Sequence, residues 1–235
     1  MIPGIIFASI AQARVHSTYA KYSAVHTGAG YTAFQIARAI LDRAGLTNVM
    51  IIRVKGKLNC YYHHAKATLA LSDDLYDSTS VAAIGVAAHE AGHALQYATG
   101  YKAVYVRQFL GAVSNVASKL TWPILIIGIL LSAFASSTLI AGLPIGDFLI
   151  VATLVLFSAS ILFSLVTLPV EYNASRRARE ILEQSGMYST DEVAGARKVL
   201  SAAALTYVAA LVTSILSMLR ILLWLLVLFG GRRRK

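Results

Sequence analysis

The stretch Val86-Ala87-Ala88-His89-Glu90-Ala91-Gly92-His93-Ala94-Leu95 carries two histidines four residues apart, with a glutamate directly after the first. On a helix, residues four apart lie on one face, a single turn from each other. Two imidazoles in that position suit a Zn²⁺ ion, and Glu90 can act as a general base on a water at the metal. The sequence therefore predicts a zinc site at His89 and His93. The alternative is a buried helix whose two histidines are only hydrogen-bonded.

The flanking residues predict that this helix runs from Val81 to Ala98. No proline interrupts it, and Thr99-Gly100 supplies a stop signal. Several residues just before it have side chains that can cap a helix N-terminus: Asp77, Ser78, Thr79 and Ser80.

The composition is that of a membrane protein. Of 235 residues, 57% are hydrophobic and 14% charged, and the mean hydropathy is +0.65, so a bilayer is the expected solvent for much of the chain. The net charge of +10 points to anionic lipid headgroups and not to nucleic acid, because no basic-aromatic RNA motif accompanies it. Cys60 is the only cysteine, which excludes an internal disulfide and fits a reducing compartment.

Two uncharged runs, 120–140 and 148–168, are long enough to cross a bilayer and are joined by a turn at 142–147. A third apolar run, 202–229, is interrupted by Arg220, so it either crosses or lies partly along the interface. These runs divide the chain into five segments: an apolar N-terminal anchor or its remnant (1–15), a domain carrying the metal helix (16–119), a transmembrane hairpin (120–168), a third-ligand helix followed by a polar helix (169–200), and a C-terminal apolar helix with a basic tail (201–235).

The hairpin returns the chain to the side it left, so His89 and Glu171 are expected on one side of the membrane. Lys and Arg residues near the membrane ends are concentrated on that side: Arg14, Lys21, Lys102, Lys119, Arg176, Arg177 and Arg179. The turn on the other side contains only Asp147. The positive-inside rule therefore predicts a multi-pass protein of the cell (plasma) membrane with its metal site on the cytoplasmic side.

A small mixed domain is expected before and around the metal helix. Thr32 is a candidate cap for a helix over 33–41, which is closed by Gly45. Three runs predict strands, 49–54, 58–62 and 68–71, and residues 63–66 predict the turn between the last two. One edge of this sheet could take up an extended peptide as an added strand, and the alternative is a purely structural hairpin.

A catalytic zinc site needs a third protein ligand and keeps the fourth position for water. Glu171 is favoured, because it opens a helix directly after a membrane run and no cation precedes it closely. Glu180 and Glu183 are interpreted more simply as part of a solvated charged face. The three aspartates before the metal helix fit turn and cap residues: Asp73, Asp74 and Asp77. His63 and His64 compete as ligands and could form a secondary metal cluster with Cys60, although they also fit exposed turn positions.

Several stretches resemble the YugP family of membrane zinc metallopeptidases and, more distantly, the HtpX-type membrane proteases: Lys21-Tyr22-Ser23 and residues 86–96, 168–178 and 199–210. The resemblance implies a zincin-like helical catalytic domain that holds one Zn²⁺ ion per chain. It also implies His89, His93 and Glu171 as metal ligands and Glu90 as the catalytic base. The expected fold class is mostly α and integral to the membrane, with a small β-hairpin, a transmembrane hairpin and a C-terminal apolar helix.

The chain departs from its relatives at three places. Residues 60–64 stand where the family that the chain resembles has Asp-His-Tyr-Asp-Pro, and the resemblance implies an N-terminal anchor longer than the segment 1–15. Ser175 stands where HtpX-type proteases have an aspartate that supports a ligating histidine, so that support must come from a weaker acceptor.

The resulting hypothesis is zinc-dependent endopeptidase cleavage of membrane or membrane-proximal proteins. Tyr207 and Arg176 are candidate donors to the developing oxyanion, or else an interfacial anchor and a lipid contact. The expected partners are a peptide or membrane-protein substrate, the lipid bilayer and an unidentified regulatory or adaptor membrane protein, and nucleic acid is not expected. The alternative is a non-catalytic membrane scaffold with a structural zinc site. A transporter fits poorly, because Arg220 is the only ionisable residue in the apolar runs.

Overall fold

The computed structural model describes residues 2–134, 139–140 and 143–232 of the chain. These residues form a mostly helical protein with a small sheet, as the sequence predicted. Its helices are α1 (Ile2–Ser23), α2 (Ala33–Arg43), α3 (Asp73–Tyr76), α4 (Val81–Ala98), α5 (Lys102–Phe134), α6 (Ile145–Gln184) and α7 (Thr190–Arg232).

The principal sheet has three strands, β1 (Met50–Val54), β2 (Tyr61–His63) and β3 (Thr68–Ser72). Strand β3 lies in the centre, parallel to β1 and antiparallel to β2, and all its residues are buried. The prediction of a second strand over 58–62 was wrong at its start. Leu58 has a φ of 56°, a left-handed conformation that cannot belong to a strand. A single 3₁₀ turn, His64–Lys66, joins β2 to β3.

Local capping residues set the ends of the two short helices that flank the sheet. The Thr32 side chain accepts a hydrogen bond from the Gln35 amide, and the Gln35 side chain accepts one from the Thr32 amide, which completes a capping box on α2. Ser80 caps α4 through the Ala83 amide. Gly100, with a φ of +64°, follows the last turn of α4. The bounds predicted for α4 are thereby confirmed.

The long helices run further than the sequence predicted. The run 148–168 and the separate helix that Glu171 was expected to open form one helix, because α6 continues through Pro169 from Ile145 to Gln184. The polar and apolar helices predicted over 191–200 and 202–229 form the single helix α7. A proline costs one backbone hydrogen bond, and a change from apolar to polar composition costs none, so neither ends a helix of this length.

The ends of other predicted segments also differ. The first apolar run was expected to reach residue 140; α5 is described as far as Phe134, and the last two residues of the run form a strand. This strand, β4 (Leu139–Ile140), pairs antiparallel with β5 (Leu143–Pro144), which lies within the expected turn. Residues 135–138 of that run, 141–142 of the turn region, Met1 and 233–235 of the basic tail lie outside the described residues. Helix α1 continues past the predicted N-terminal segment 1–15 as far as Ser23.

The chain divides into two compact units. The first comprises Met1–Ala8, Tyr105–Thr167 and Val208–Lys235. The second comprises Ser9–Val104 and Leu168–Tyr207, and its core includes the buried side chains of Ile36, Leu41, Leu69, Leu71, Leu75 and Ile84. We call the second unit the site unit, because all residues discussed in the next subsection belong to it.

Three helices of the described chain are long and apolar enough to cross a membrane: Lys102–Ala133, Ile145–Gln184 and Thr190–Leu223. Large apolar side chains stay exposed along them, among them Phe109, Ile126 and Val155. Lipid is the environment in which such surfaces are stable.

Candidate metal centre

The metal centre lies where α4 and α6 approach each other closely. Gly92, inside the His-Glu-x-x-His motif, faces the α6 backbone, and a Cβ built on it would lie 2.8 Å from the Ala174 carbonyl oxygen. No larger residue fits without a shift of one helix. Because Ala174 is three residues after Glu171, this contact holds the glutamate beside the two histidines.

The three predicted ligand residues lie together. His89 Nε2 is 3.2 Å from Glu171 Oε2, and His93 Nε2 is 3.6 Å from the same oxygen. The two imidazole rings meet edge to face, with centroids 4.7 Å apart. The Glu171 side chain is only 3% exposed, so a buried carboxylate faces two imidazole nitrogens at the point where the helices meet.

A hydrogen-bond chain sets the tautomer and orientation of His93. Gln96 Nε2 donates to the Val170 carbonyl at 2.7 Å and to Asn173 Oδ1 at 3.0 Å, so its Oε1 is directed to His93 Nδ1 at 2.9 Å. An amide oxygen can only accept, so the proton of a neutral His93 ring lies on Nδ1. Its Nε2 lone pair is then directed toward Glu171 and available for a metal.

His89 is oriented by a hydrogen bond to a side chain of α6. Its Nδ1 and Ser175 Oγ form a hydrogen bond of 3.1 Å. Ser175 therefore occupies the supporting position that the sequence assigned to it. A hydroxyl is a weaker acceptor than a carboxylate, so His89 is less strongly polarised than a histidine supported by aspartate would be.

These residues fit a zinc ion. Two imidazole nitrogens and a carboxylate oxygen are the donor types of catalytic zinc sites, and all three lie within 4.8 Å of one another. Ligands at zinc-bond length and tetrahedral angles are about 3.4 Å apart. The two separations of 3.2 and 3.6 Å bracket that value. A cation here would also compensate the buried carboxylate.

A cavity of about 310 Å³ opens beside the ligands. Its wall includes His89, Glu171 and the buried Glu90, so the proposed base and two ligands face one space. Tyr207 also lines the cavity. The structure does not place Arg176 there: this residue is exposed and pairs with Glu180 at 3.7 Å, so the expectation that it donates to an oxyanion is wrong.

The competing ligand candidates lie elsewhere. Glu180 and Glu183 each pair with an arginine one turn away on α6, as predicted for a solvated face. Asp73 and Asp74 begin α3, and Asp77 pairs with Arg53. All five carboxylates are thereby accounted for without a metal.

The secondary cluster of Cys60, His63 and His64 does not form in the described structure. The His63 side chain accepts from the Lys66 amide, and the His64 ring stacks on Tyr97 with centroids 4.0 Å apart. Cys60 accepts from the Ser72 amide at 3.3 Å and lines the cavity of the metal centre instead.

Two groups in the cavity wall have raised pKa values. Burial raises the pKa of the Cys60 thiol above its ordinary value of 9.0, against the hydrogen bonds from Ser72 that lower it. Burial also raises the pKa of Tyr19, helped by its hydrogen bond to Asp74. Both side chains are therefore neutral at pH 7 and contribute hydrogen-bonding groups without charge.

Sequence reasoning missed Gln96, Asn173 and Gly92. Gln96 and Asn173 lie inside the stretches that carry the family resemblance. Gln96 also lies three residues after His93, the spacing at which helical side chains meet. That spacing is the signal that could have identified it. Nothing local distinguishes Gly92, because its role depends on a helix about eighty residues away.

A His-Glu-x-x-His helix joined by a carboxylate from a second helix defines the class of zinc metallopeptidase sites. The family model described as "Putative neutral zinc metallopeptidase" matches residues 1–226. The chain is 41% identical over 223 residues to "Putative membrane protease YugP" of Bacillus subtilis (strain 168), covering 94% of this chain and 92% of that protein. No solved structure gives a significant match. The chain belongs to this neutral zinc metallopeptidase family.

Proposed function

We propose that the chain is a membrane-embedded, zinc-dependent endopeptidase. His89, His93 and Glu171 would hold one Zn²⁺ ion per chain, and Glu90 would be the catalytic base. The observation that carries the proposal is the convergence of these side chains: the ligand atoms lie within 4.8 Å of one another, beside a cavity that Glu90 also lines.

When bound, zinc would acidify a water toward a pKa of about 7 and polarise the scissile carbonyl. Glu90 takes the proton from the water as it attacks the carbonyl carbon and then returns it to the leaving amine. Its place in the cavity wall fits both transfers. Tyr207 is a candidate donor to the carbonyl oxygen as negative charge develops there.

The proposed substrates are membrane or membrane-proximal proteins. Glu171 follows the uncharged run 148–168 by three residues on the same helix, so a peptide bond at the metal lies close to the membrane in chain distance. The short strand β2 is the outer strand on the Cys60 side of the sheet and offers an edge to an extended peptide. We further propose a multi-pass plasma-membrane location with the site on the cytoplasmic side, on the distribution of lysines and arginines.

The test uses full-length protein in maltoside micelles with fluorescently labelled casein as the probe. Glu90→Gln is expected to keep one zinc per chain, measured by metal analysis, and to lose cleavage by at least about 100-fold. Glu183→Gln is the matched control, because that exposed glutamate lies far from the ligands on α6 and makes only a surface ion pair. Unchanged cleavage by Glu90→Gln would contradict the mechanism.

The scaffold alternative makes a different prediction for the metal. A structural zinc has four protein ligands, whereas the cluster found in the described residues has three. X-ray absorption of the zinc-loaded protein is expected to show two imidazoles, one carboxylate and a further oxygen. A fourth protein ligand would support the scaffold.

A further inference from the structure

A second cavity in the site unit, of about 550 Å³, lies between α1 and α7 and is lined by residues that take no part in the metal centre. We call it the basic groove. Three cations line it, Arg14 and Lys21 from α1 and Lys198 from α7. Hydroxyl groups lie among them, contributed by Ser17, Thr18 and Ser201.

The positive charge of the basic groove has no internal compensation. Among the residues that the structure describes, no carboxylate lines it, and the sequence has no Asp or Glu in residues 1–41 or 193–235. Within the described chain, the ion pairs are made by other cations, such as Arg38 with Asp42 and Arg179 with Glu183. Three cations around one concave space therefore favour an anionic ligand.

The groove is built by close packing and is more than a cluster of surface lysines. A Cβ on Gly195 of α7 would lie 2.7 Å from the Tyr22 ring, so the glycine lets α1 and α7 pack tightly at one end of the groove. Lys21 Nζ lies 5.6 Å from the centroid of that ring, within cation–π range. The volume is in the range of small-ligand sites.

The position of the groove along both helices indicates a lipid. Arg14 comes three residues after the apolar run 2–11, and Lys198 comes four residues before the uncharged run 202–219. Cations at the ends of apolar helical runs lie at the depth of lipid headgroups. Ala202 and Leu205 add an apolar wall beside the cations, which suits the start of an acyl chain.

We propose that the basic groove binds the phosphate of an anionic phospholipid headgroup. Arg14, Lys21 and Lys198 supply charge-assisted hydrogen bonds, and the hydroxyls of Thr18 and Ser201 can donate to the remaining phosphate oxygens. Free phosphate shares this chemistry, but the apolar wall and the adjoining apolar runs favour the lipid. The site does not depend on peptide hydrolysis, so it can be tested whether or not the protein cleaves casein.

The experiment titrates full-length protein in maltoside micelles with phosphatidylglycerol, phosphatidylcholine or inorganic phosphate and follows bound lipid by native mass spectrometry and the unfolding temperature. The groove variant is Arg14→Gln/Lys21→Gln/Lys198→Gln. The matched control is Lys55→Gln/Lys57→Gln/Lys66→Gln, which removes the same charge from exposed positions around the sheet. The groove variant is expected to bind phosphatidylglycerol roughly 100-fold more weakly than wild type, because each of the three lost cations should reduce the affinity about fivefold.

Retained affinity in the control, with weak binding of phosphatidylcholine by all proteins, would support the proposal. Equal loss in both triple variants, or no loss in the groove variant, would overturn it. Inorganic phosphate that binds as tightly as phosphatidylglycerol would overturn the lipid assignment in favour of a soluble phosphate. If the triple variant does not fold, Lys198→Glu alone must still weaken binding, because it reverses one exposed charge without touching the core.

Discussion

At the scale of single residues, the metal centre depends on side chains that do not themselves bind metal. Gln96 fixes the His93 tautomer because its amide nitrogen donates to two acceptors on α6. Its amide oxygen is thereby directed to the His93 imidazole and accepts a hydrogen bond from the proton on Nδ1. Arg177 extends the chain, since its Nε donates to Asn173 Oδ1 at 2.9 Å. The ligand nitrogen of His93 is therefore positioned by residues from both α4 and α6.

Gln96→Leu is expected to weaken zinc binding by about 10- to 100-fold, because His93 Nδ1 loses its acceptor. The measurement is a competition titration against a chromophoric chelator. Gln96→Glu restores an acceptor and should recover part of the affinity, while Gln184→Leu, at an exposed position on α6, should change nothing. Loss of affinity that is equal in Gln96→Leu and Gln96→Glu would show that the role is only structural.

The Cys60 thiol offers a test of the cavity's polarity. Because burial raises its pKa above 9.0, the reactive thiolate is scarce at pH 7 to 8 and its alkylation rate should rise only at higher pH than for a free cysteine. Mass spectrometry of iodoacetamide-treated protein between pH 7 and 10 measures this. A rate profile matching that of free cysteine would contradict a buried thiol.

At the scale of helices and strands, the spacing of α4 and α6 decides whether a metal site exists. Gly92→Ala places a methyl group 2.8 Å from the Ala174 carbonyl oxygen, so the helices must separate. We expect a loss of about 1–3 kcal/mol in the free energy of unfolding together with weaker zinc binding. The measurements are denaturant unfolding and zinc titration.

The control for this helix contact is Gly85→Ala, where the new methyl group meets the Ala196 Cβ of α7 at 3.1 Å. That change strains a different helix pair, so it should lower stability and leave zinc affinity close to wild type. Equal zinc affinity in Gly92→Ala and wild type would disprove the role of the α4–α6 spacing.

At the scale of the whole molecule, the ligands come from distant parts of the chain, so metal binding should couple to folding. Zinc that binds only the folded state adds about 2.7 kcal/mol when its free concentration is 100 times its Kd. Removing zinc with a chelator is therefore expected to lower the unfolding temperature, and adding zinc back should restore it. Glu171→Gln should abolish most of this response, whereas an identical response in that variant would exclude Glu171 as a ligand.

Local sequence patterns determined much of this protein. The His89–His93 spacing, the Thr32 and Ser80 caps and the uncharged runs are properties of neighbouring residues, and they predicted the metal helix, α2 and a membrane protein. Three-residue and four-residue spacings are legible in a sequence because helical geometry repeats over that distance.

Tertiary structure alone decided the rest. The parallel pairing of β1 with β3, the need for glycine at position 92, the hydrogen-bond chain through Gln96 and the basic groove all join residues that are far apart in the chain. The continuity of α6 through Pro169 also escaped local rules, because a proline's cost of one hydrogen bond is small beside the packing along a forty-residue helix. The sequence already favoured Glu171 among several carboxylates, but the contact of its Oε2 with both imidazoles depends on packing between distant segments, so only the folded chain shows it.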